Sequence, residues 1–274
     1  MTIISLLLVL LVERVTTKSQ YWQFEFYFNK YLTATGTLQT QESSSRSWWW
    51  LAIIVLPVLV VYWLVQVLSN GLLELVLSTA ILMVCVGCPA VRATYKCFLQ
   101  AANRGDLEAC SLYADQIGEP DESLESFGRN LVWQNYLHYA SVILWFTALG
   151  ASGALLYVLA RETFKQLKVT QNPSAADARI LMHVLDWLPV RITALGFLLV
   201  GHFSRAFPAW LGHLLDLKIA AKALLVDVAT QAEEVERDEN NCAQEPSTLV
   251  RLAKRNVMFI LVTIALLTLS GWLN

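Results

Sequence analysis

Three sets of polar residues sit where this chain is otherwise apolar, and they are where chemistry would be found. Glu13 and Arg14 close the apolar start MTIISLLLVLLV. Gln134, Asn135 and His138 open a long apolar run. His183, Asp186, Arg191, His202 and Arg205 surround another, in the stretch HVLDWLPVRITALGFLLVGH from His183 to His202. An ionised Asp or Arg at the centre of a bilayer costs roughly 2.5 to 3.5 kcal/mol on insertion scales, so such groups either brace the structure or line a site. Pro189 cannot sit inside a helix without disrupting it, but it suits a first turn. The pattern therefore predicts a helix over 190–204, with Asp186 just before its N-terminus, where a carboxylate suits the helix dipole. In one reading Asp186 caps this helix and pairs with Arg191, fixing a break at the membrane surface. In the other, the break belongs to a polar, ligand-binding pocket built from Glu13, Arg14, Gln134, Asn135, His138, His183, Asp186 and Arg191. Physics alone leaves both open.

The sequence offers little for other chemistry. It has neither HExxH nor another close His pair, no GxxxxGK[ST] phosphate loop and no GxSxG elbow, and its Ser, Cys and His residues suggest no triad. No catalytic residue, metal ligand set or cofactor is expected. Cys85 and Cys88 have CxxC spacing, but they lie in an apolar run without a second such pair. With Cys97, Cys110 and Cys242 they read as buried thiols, and no disulfide is implied. A formal net charge of −2 provides no basic field for nucleic acid.

The elements that must position these residues are helices in lipid. Of 274 residues 56% are hydrophobic and only 15% charged, with a mean hydropathy of +0.48, whereas globular domains average about 25% charged. Ten tryptophans fit the same class, since Trp concentrates at bilayer interfaces. The first apolar run is too short to span and reads as a membrane-dipping helix; the aromatic stretch that follows completes an interfacial segment, 1–47. Trp48 to Trp50 mark a headgroup boundary before a helical hairpin over 48–91, turning at Ser69-Asn70-Gly71. Residues 92–135 are soluble in character, with helical periodicity and a break at Gly118 to Pro120. Two membrane segments are expected in 136–204, a second cytoplasmic helical segment in 205–255, and a last membrane helix in 256–274. Arg and Lys flanking the hairpin and preceding the last helix place 92–135 and 205–255 in the cytoplasm. The run from 136 to 160 conflicts with this, because a crossing there carries Arg161, Lys165 and Lys168 outside. Either it crosses and 190–204 returns, or it is re-entrant and broken at Gly150 to Gly153. The fold class is an all-α integral membrane protein, a single domain of about four or five membrane segments with cytoplasmic amphipathic helices.

The chain resembles the AmpE family of inner-membrane proteins linked to β-lactamase induction. The resemblance is carried by LLLVLLVER (6–14), AANRGDLEA (101–109), LVWQNYLHY (131–139), HVLDWLPVRITA (183–194), AFPAWL (206–211) and RLAKRNVMFILVTIALLTLSG (251–271). Beyond it lies a similarity to the CobD/CbiB-like adenosylcobinamide-phosphate synthases, through Leu185, Asp186, Pro189 and Arg191 and through the run Ala148 to Tyr157. The synthases' acidic residues are not matched at Glu13-Arg14 or at Gln134, Asn135 and His138, and magnesium needs hard oxygen ligands. The resemblance thus implies a non-catalytic regulator in the bacterial inner membrane. It also implies contact with membrane lipid, a cell-wall-derived or lipid-like ligand, and a functional link to the cytoplasmic anhydromuramyl-peptide amidase; homo-oligomerisation stays open. The competing functions are a residual amide-forming enzyme and a transporter, the latter disfavoured by few spans and no inverted repeat.

Overall fold

The computed structural model describes residues 2–15, 20–35, 48–68, 71–117, 127–233 and 242–272, and every element among them is helical. The expected turn at Ser69-Asn70, the break at Gly118 to Pro120 and most of the acidic patch EEVERDEN lie outside the described residues, as does the side chain of Arg14. Four helices are long and apolar enough to cross a membrane: Trp49–Val67, Phe127–Val169, Ala175–Val200 and Gln244–Leu269. A fifth results if Gly71–Cys85 and Pro89–Asn103 count as one broken span. Only 17% of the apolar window in Trp49–Val67 is buried inside the protein, so the rest of its apolar surface needs lipid rather than water around it. The same need shows on Ala175–Val200, where Ile180, Val184, Leu188, Ile192, Leu195 and Leu199 form an exposed stripe at helical spacing.

The chain divides into two compact units. The first comprises Met1–Gly87, Ser141–Asp186 and Ile264–Asn274. Within it, α1 (Thr2–Val15) packs on α4 (Gly71–Cys85), and both α4 and α3 (Trp49–Val67) pack on α8 (Ser141–Val169). Leu6 and Val9 of α1, Ile54 of α3, Leu82 of α4 and Phe146 and Ala154 of α8 are all buried. The aromatic stretch forms α2 (Phe24–Ala34), which buries Phe28 and Leu32 and exposes Phe26 and Tyr27.

The third apolar run is not a straight helix. Gly150 in α8 has φ 66° and ψ −153°, a backbone region essentially reserved for glycine. The chain reverses there, dividing α8 into arms 141–149 and 151–169. The hydroxyls of Ser141 and Tyr157 are hydrogen-bonded, although sixteen residues of straight helix would hold them about 24 Å apart. A Cβ at Gly153 would overlap the Trp145 carbonyl of the other arm. At the far end of the second arm, Lys165 bonds Glu25 of α2 at 2.8 Å.

The second unit comprises Cys88–Ala140 and Trp187–Thr263, and so gathers most of the two soluble-like segments. Here α5 (Pro89–Asn103), α6 (Leu107–Asp115) and α7 (Phe127–Asn135) share a core of Phe98, Ala101, Cys110, Ala114, Phe127 and Leu131. Phe98 and Phe127 have ring centroids 4.3 Å apart. Asp106 caps α6 by accepting the Ala109 N–H. The Cys110 thiol lies 3.2 Å from that of Cys242, and burial pushes its pKa up to about 12. α10 (Phe203–Leu214) packs on α11 (Ala221–Ala232), helped by a 2.8 Å contact between His213 and Asp227. Phe203, Phe207 and Leu211 stay exposed on α10, an apolar face of the kind that lies along an interface.

Pro189 does not start a helix. α9 runs unbroken from Ala175 to Val200 with Pro189 inside it, so the expected start at residue 190 is corrected. Proline removes one backbone donor and disturbs the preceding turn. Neighbouring groups brace the helix instead: Thr193 Oγ1 donates to the Pro189 carbonyl at 2.8 Å and Arg191 Nη1 to the Trp187 carbonyl at 2.9 Å. One turn further on, Asn256 of α12 (Gln244–Leu269) donates through Nδ2 to the Thr193 carbonyl at 2.9 Å. Its Oδ1 has no hydrogen-bond partner and lies where a Cβ on Gly196 would have to go. Gly196→Ala should therefore lower stability by about 1–3 kcal/mol through overpacking, and Asn256→Ala in the same chain should recover part of that loss. Thermal melting of the two singles and the double in detergent checks it; strictly additive losses would mean the two helices do not meet at this point.

Candidate functional site

The densest set of buried polar side chains in the first unit lies about seven residues below the Gly150 reversal, along the second arm. Tyr157 is completely buried and donates its phenol to Asp186 Oδ1 at 2.8 Å. Ser141, also fully buried, reaches the same phenol from the first arm, and Arg161 acts on it electrostatically. The result is a hydrogen-bonded row of three side chains, Ser141, Tyr157 and Asp186, tying both arms of the hairpin to α9. One turn beyond Tyr157, Arg161 donates through Nε and Nη2 to Glu162 Oε1 at 3.1 and 3.0 Å, with both side chains about nine-tenths buried. Buried charges persist only where paired and hydrogen-bonded, because desolvation costs several kcal/mol per ion. Glu13 of α1, 5% exposed, and the half-buried His183 belong to the same unit.

The second unit holds the remaining expected residues. Gln134 and Asn135 end α7 and His138 lies in the π-helical turn Tyr136–Ala140; all three are half-buried. A π-turn inserts an extra residue into the helix and often marks a functional position. Arg191, 7% exposed, is held by a different set of groups from the one expected. Its guanidinium donates to three backbone carbonyls, of Trp187 at 2.9 Å, Leu214 at 2.9 Å and Asp216 at 2.7 Å, and it stacks 4.4 Å from the Trp187 ring centroid. The expected Asp186–Arg191 pair is thus corrected. The two residues share one continuous helix, where a five-residue separation turns them about 140° apart, and Arg191 instead staples α9 to the end of α10.

Ser141, Tyr157, Arg161 and Glu162 were not expected at the site, and the sequence did hold a signal for three of them. Tyr157 and Arg161 are one helical turn apart, and Arg161-Glu162 puts opposite charges side by side at the end of an apolar run. Arg161 reads as a span's basic boundary if the run crosses, and as an interior residue only in the alternative that breaks at Gly150. Ser141, a lone hydroxyl among apolar neighbours, carried no such signal.

Comparison with known proteins gives this arrangement its family. A family model described as "Regulatory signalling modulator protein AmpE" matches residues 1–274. The chain belongs to the AmpE family. It is 28% identical to Protein AmpE of Shigella flexneri over 99% of either chain. Cobalamin biosynthesis protein CobD of Chromobacterium violaceum is 27% identical over 199 residues, which cover 66% of this chain and 60% of that one. No solved structure matches. AmpE-family membership gives the chain a regulatory role, and its apolar helices make it a multi-pass membrane protein.

In this AmpE-family scaffold, Tyr157→Phe removes the donor that faces Asp186 and leaves a buried acceptor to be satisfied elsewhere. Losses of that kind run at about 1–3 kcal/mol. Tyr157→Phe and Asp186→Ala should each lower the melting temperature in detergent, and the double mutant should lose less than the sum. Arg191→Lys should also destabilise, since an ammonium on a flexible stem cannot reproduce a planar fork reaching three carbonyls. A Tyr157/Asp186 cycle with no coupling would show that the hydrogen bond contributes nothing to the fold.

Proposed function

We propose that this AmpE-family protein modulates β-lactamase induction from the bacterial inner membrane by handling a cell-wall-derived or lipid-like ligand. Its full-length match to a family of regulatory signalling modulators is the observation that carries the reading. The site adds support, because Asp186 sits in a buried hydrogen-bonded row that joins three helical segments. A ligand that competed for any member of such a row would bias the packing of those segments, and a ligand shifts an equilibrium only by its difference in affinity for the two states. In this reading the ligand belongs to the muropeptide signalling that the cytoplasmic anhydromuramyl-peptide amidase feeds.

The test is a β-lactamase induction curve in a Gram-negative strain that lacks its own AmpE-family gene. Wild-type chain should restore the parental response to a β-lactam inducer. Tyr157→Phe, at matched membrane abundance, should shift the inducer concentration at half response. If the deletion strain and the complemented strain induce alike, the protein has no part in this response.

A second reading, an amide-forming enzyme, is favoured by the similarity to CobD over two thirds of the chain. Expression in a strain lacking adenosylcobinamide-phosphate synthase separates the two. No growth on cobalamin-dependent medium is expected, because hard-oxygen ligands for a nucleotide–magnesium complex are unmatched at Gln134, Asn135 and His138. Restored growth would establish the enzyme.

A further inference from the structure

The first unit contains a cavity of about 200 Å³ at its reversal end, separate from the Tyr157–Asp186 row. Gln66 and Tyr62 reach it from the end of α3, Glu74 and Ser78 from the start of α4, Ser5 from α1, and residues 146–152 from the α8 reversal. Ser5 accepts a hydrogen bond from Thr79 at 3.1 Å, and Ser152 donates to the Leu149 carbonyl at 2.8 Å. Among the described residues, the side chains of Tyr62, Gln66, Glu74 and Ser78 have no hydrogen-bond or ion-pair partner. Tyr62 and Gln66 stand at the exposed rim, while Glu74 and Ser78 are half-buried among apolar helices. Polar groups that leave water are normally partnered, and an ionisable group within a membrane segment marks a functional site by default. Glu74 and Ser78, half-buried on one face of α4 and converging on a cavity with Gln66 at its rim, are what a small polar ligand needs.

The chemistry of the wall selects the ligand. Among the described residues, Glu74 is its only carboxylate, and no Lys, Arg or His lines it. The C-terminal end of one α8 arm and the N-terminal end of the other meet at Gly150, so their opposite partial charges offset, leaving Glu74 to set the sign. The hydroxyls of Ser5 and Ser78 and the amide oxygen of Gln66 add acceptors around that carboxylate. Val65, Leu75, Phe146 and Leu149 complete the wall with apolar surface, which a bare inorganic ion would not use. The volume lies below the roughly 300–1,000 Å³ of drug-sized pockets, so the ligand is small.

We propose that this cavity is a binding site for a small primary alkylammonium group, held by Glu74 with Gln66 and Ser78 as further acceptors. The group arrives either as a free amine or as the headgroup of an aminophospholipid, since the exposed Tyr62 and Gln66 border the cavity on α3, whose apolar surface is mostly unburied.

Melting of the full-length protein tests this with ethanolamine as the free amine. In detergent, saturating ethanolamine should raise the wild-type melting temperature by about 2–4 °C, with no rise from sodium chloride at equal ionic strength. Glu74→Gln, nearly isosteric, should abolish the rise, and Ser78→Ala, a milder change that serves if Glu74→Gln does not fold, should raise the half-saturating concentration. Nanodiscs of phosphatidylglycerol with and without phosphatidylethanolamine separate the sources. A Glu74-dependent rise with phosphatidylethanolamine alone assigns the lipid headgroup, and one with ethanolamine assigns the free amine. The proposal fails if neither amine shifts the wild type, if Glu74→Gln keeps the full shift, or if sodium chloride reproduces it.

Discussion

The backbone at Gly150 sets what the first unit can be. A residue with φ near +66° and extended ψ is open to glycine and nearly closed to any residue with a Cβ, and here it turns a long apolar run back on itself. The reversal brings Ser141 to Tyr157 and gives α3 and α4 a common partner in α8. It also removes a conflict of charge. Because Lys165 is bonded to Glu25 of α2, ahead of α3, the basic residues Arg161, Lys165 and Lys168 return towards α2, which carries Lys30. No basic outer loop is then required of the positive-inside rule.

The second unit solves a different problem. A proline inside an apolar helix loses a backbone donor, and in lipid-like surroundings every backbone polar group must find a partner within the protein. Thr193, Arg191 and Asn256 supply side-chain donors along the stretch from Trp187 to Thr193. The charge on Arg191 is thereby turned to structural use: three carbonyl dipoles and an indole face surround it, where the sequence had suggested a carboxylate. Fork geometry explains the choice, since a guanidinium can bridge the end of one helix and the body of another and an ammonium cannot.

How much of this was legible in the sequence follows from which forces are local. Apolar runs around 20 residues long, bounded by tryptophans and basic residues, announce helices in lipid because the bilayer imposes both length and flanks; α3 lies where those signals put it, while α12 begins at Gln244, ahead of the expected 256. Pro189 misled because a proline inside a membrane helix need not end it, and α9 continues through it. Asp186 and Arg191 looked like partners from their nearness in sequence, yet a continuous helix turns residues five apart onto different faces. Gly150 and Gly153 were visible as a point of weakness, but whether a glycine pair only loosens a helix or reverses it depends on contacts the chain makes elsewhere. Tyr157, one turn before Arg161, was visible as a polar residue in the run, but its meeting with Ser141 depends on that reversal.

The two polar regions of the first unit differ in a way that bears on regulation. Around Tyr157 the polar side chains bond to one another: phenol to carboxylate, guanidinium to carboxylate, hydroxyl to phenol. Such a closed network rigidifies a packing arrangement and loses heavily when one member is removed. At the Gly150 end Glu74, Ser78 and Gln66 form no hydrogen bond or ion pair among the described residues, so an incoming ligand would gain bonds to them without first breaking protein ones. Both regions are built on the same hairpin, one along its arms and one at its tip. A ligand at the tip therefore acts on the backbone turn that holds Ser141 against Tyr157, which is the physical route by which occupancy could reach Asp186 and α9. Two sites that bias one shared element are coupled reciprocally, so any effect of the tip on the row must appear equally as an effect of the row on affinity at the tip.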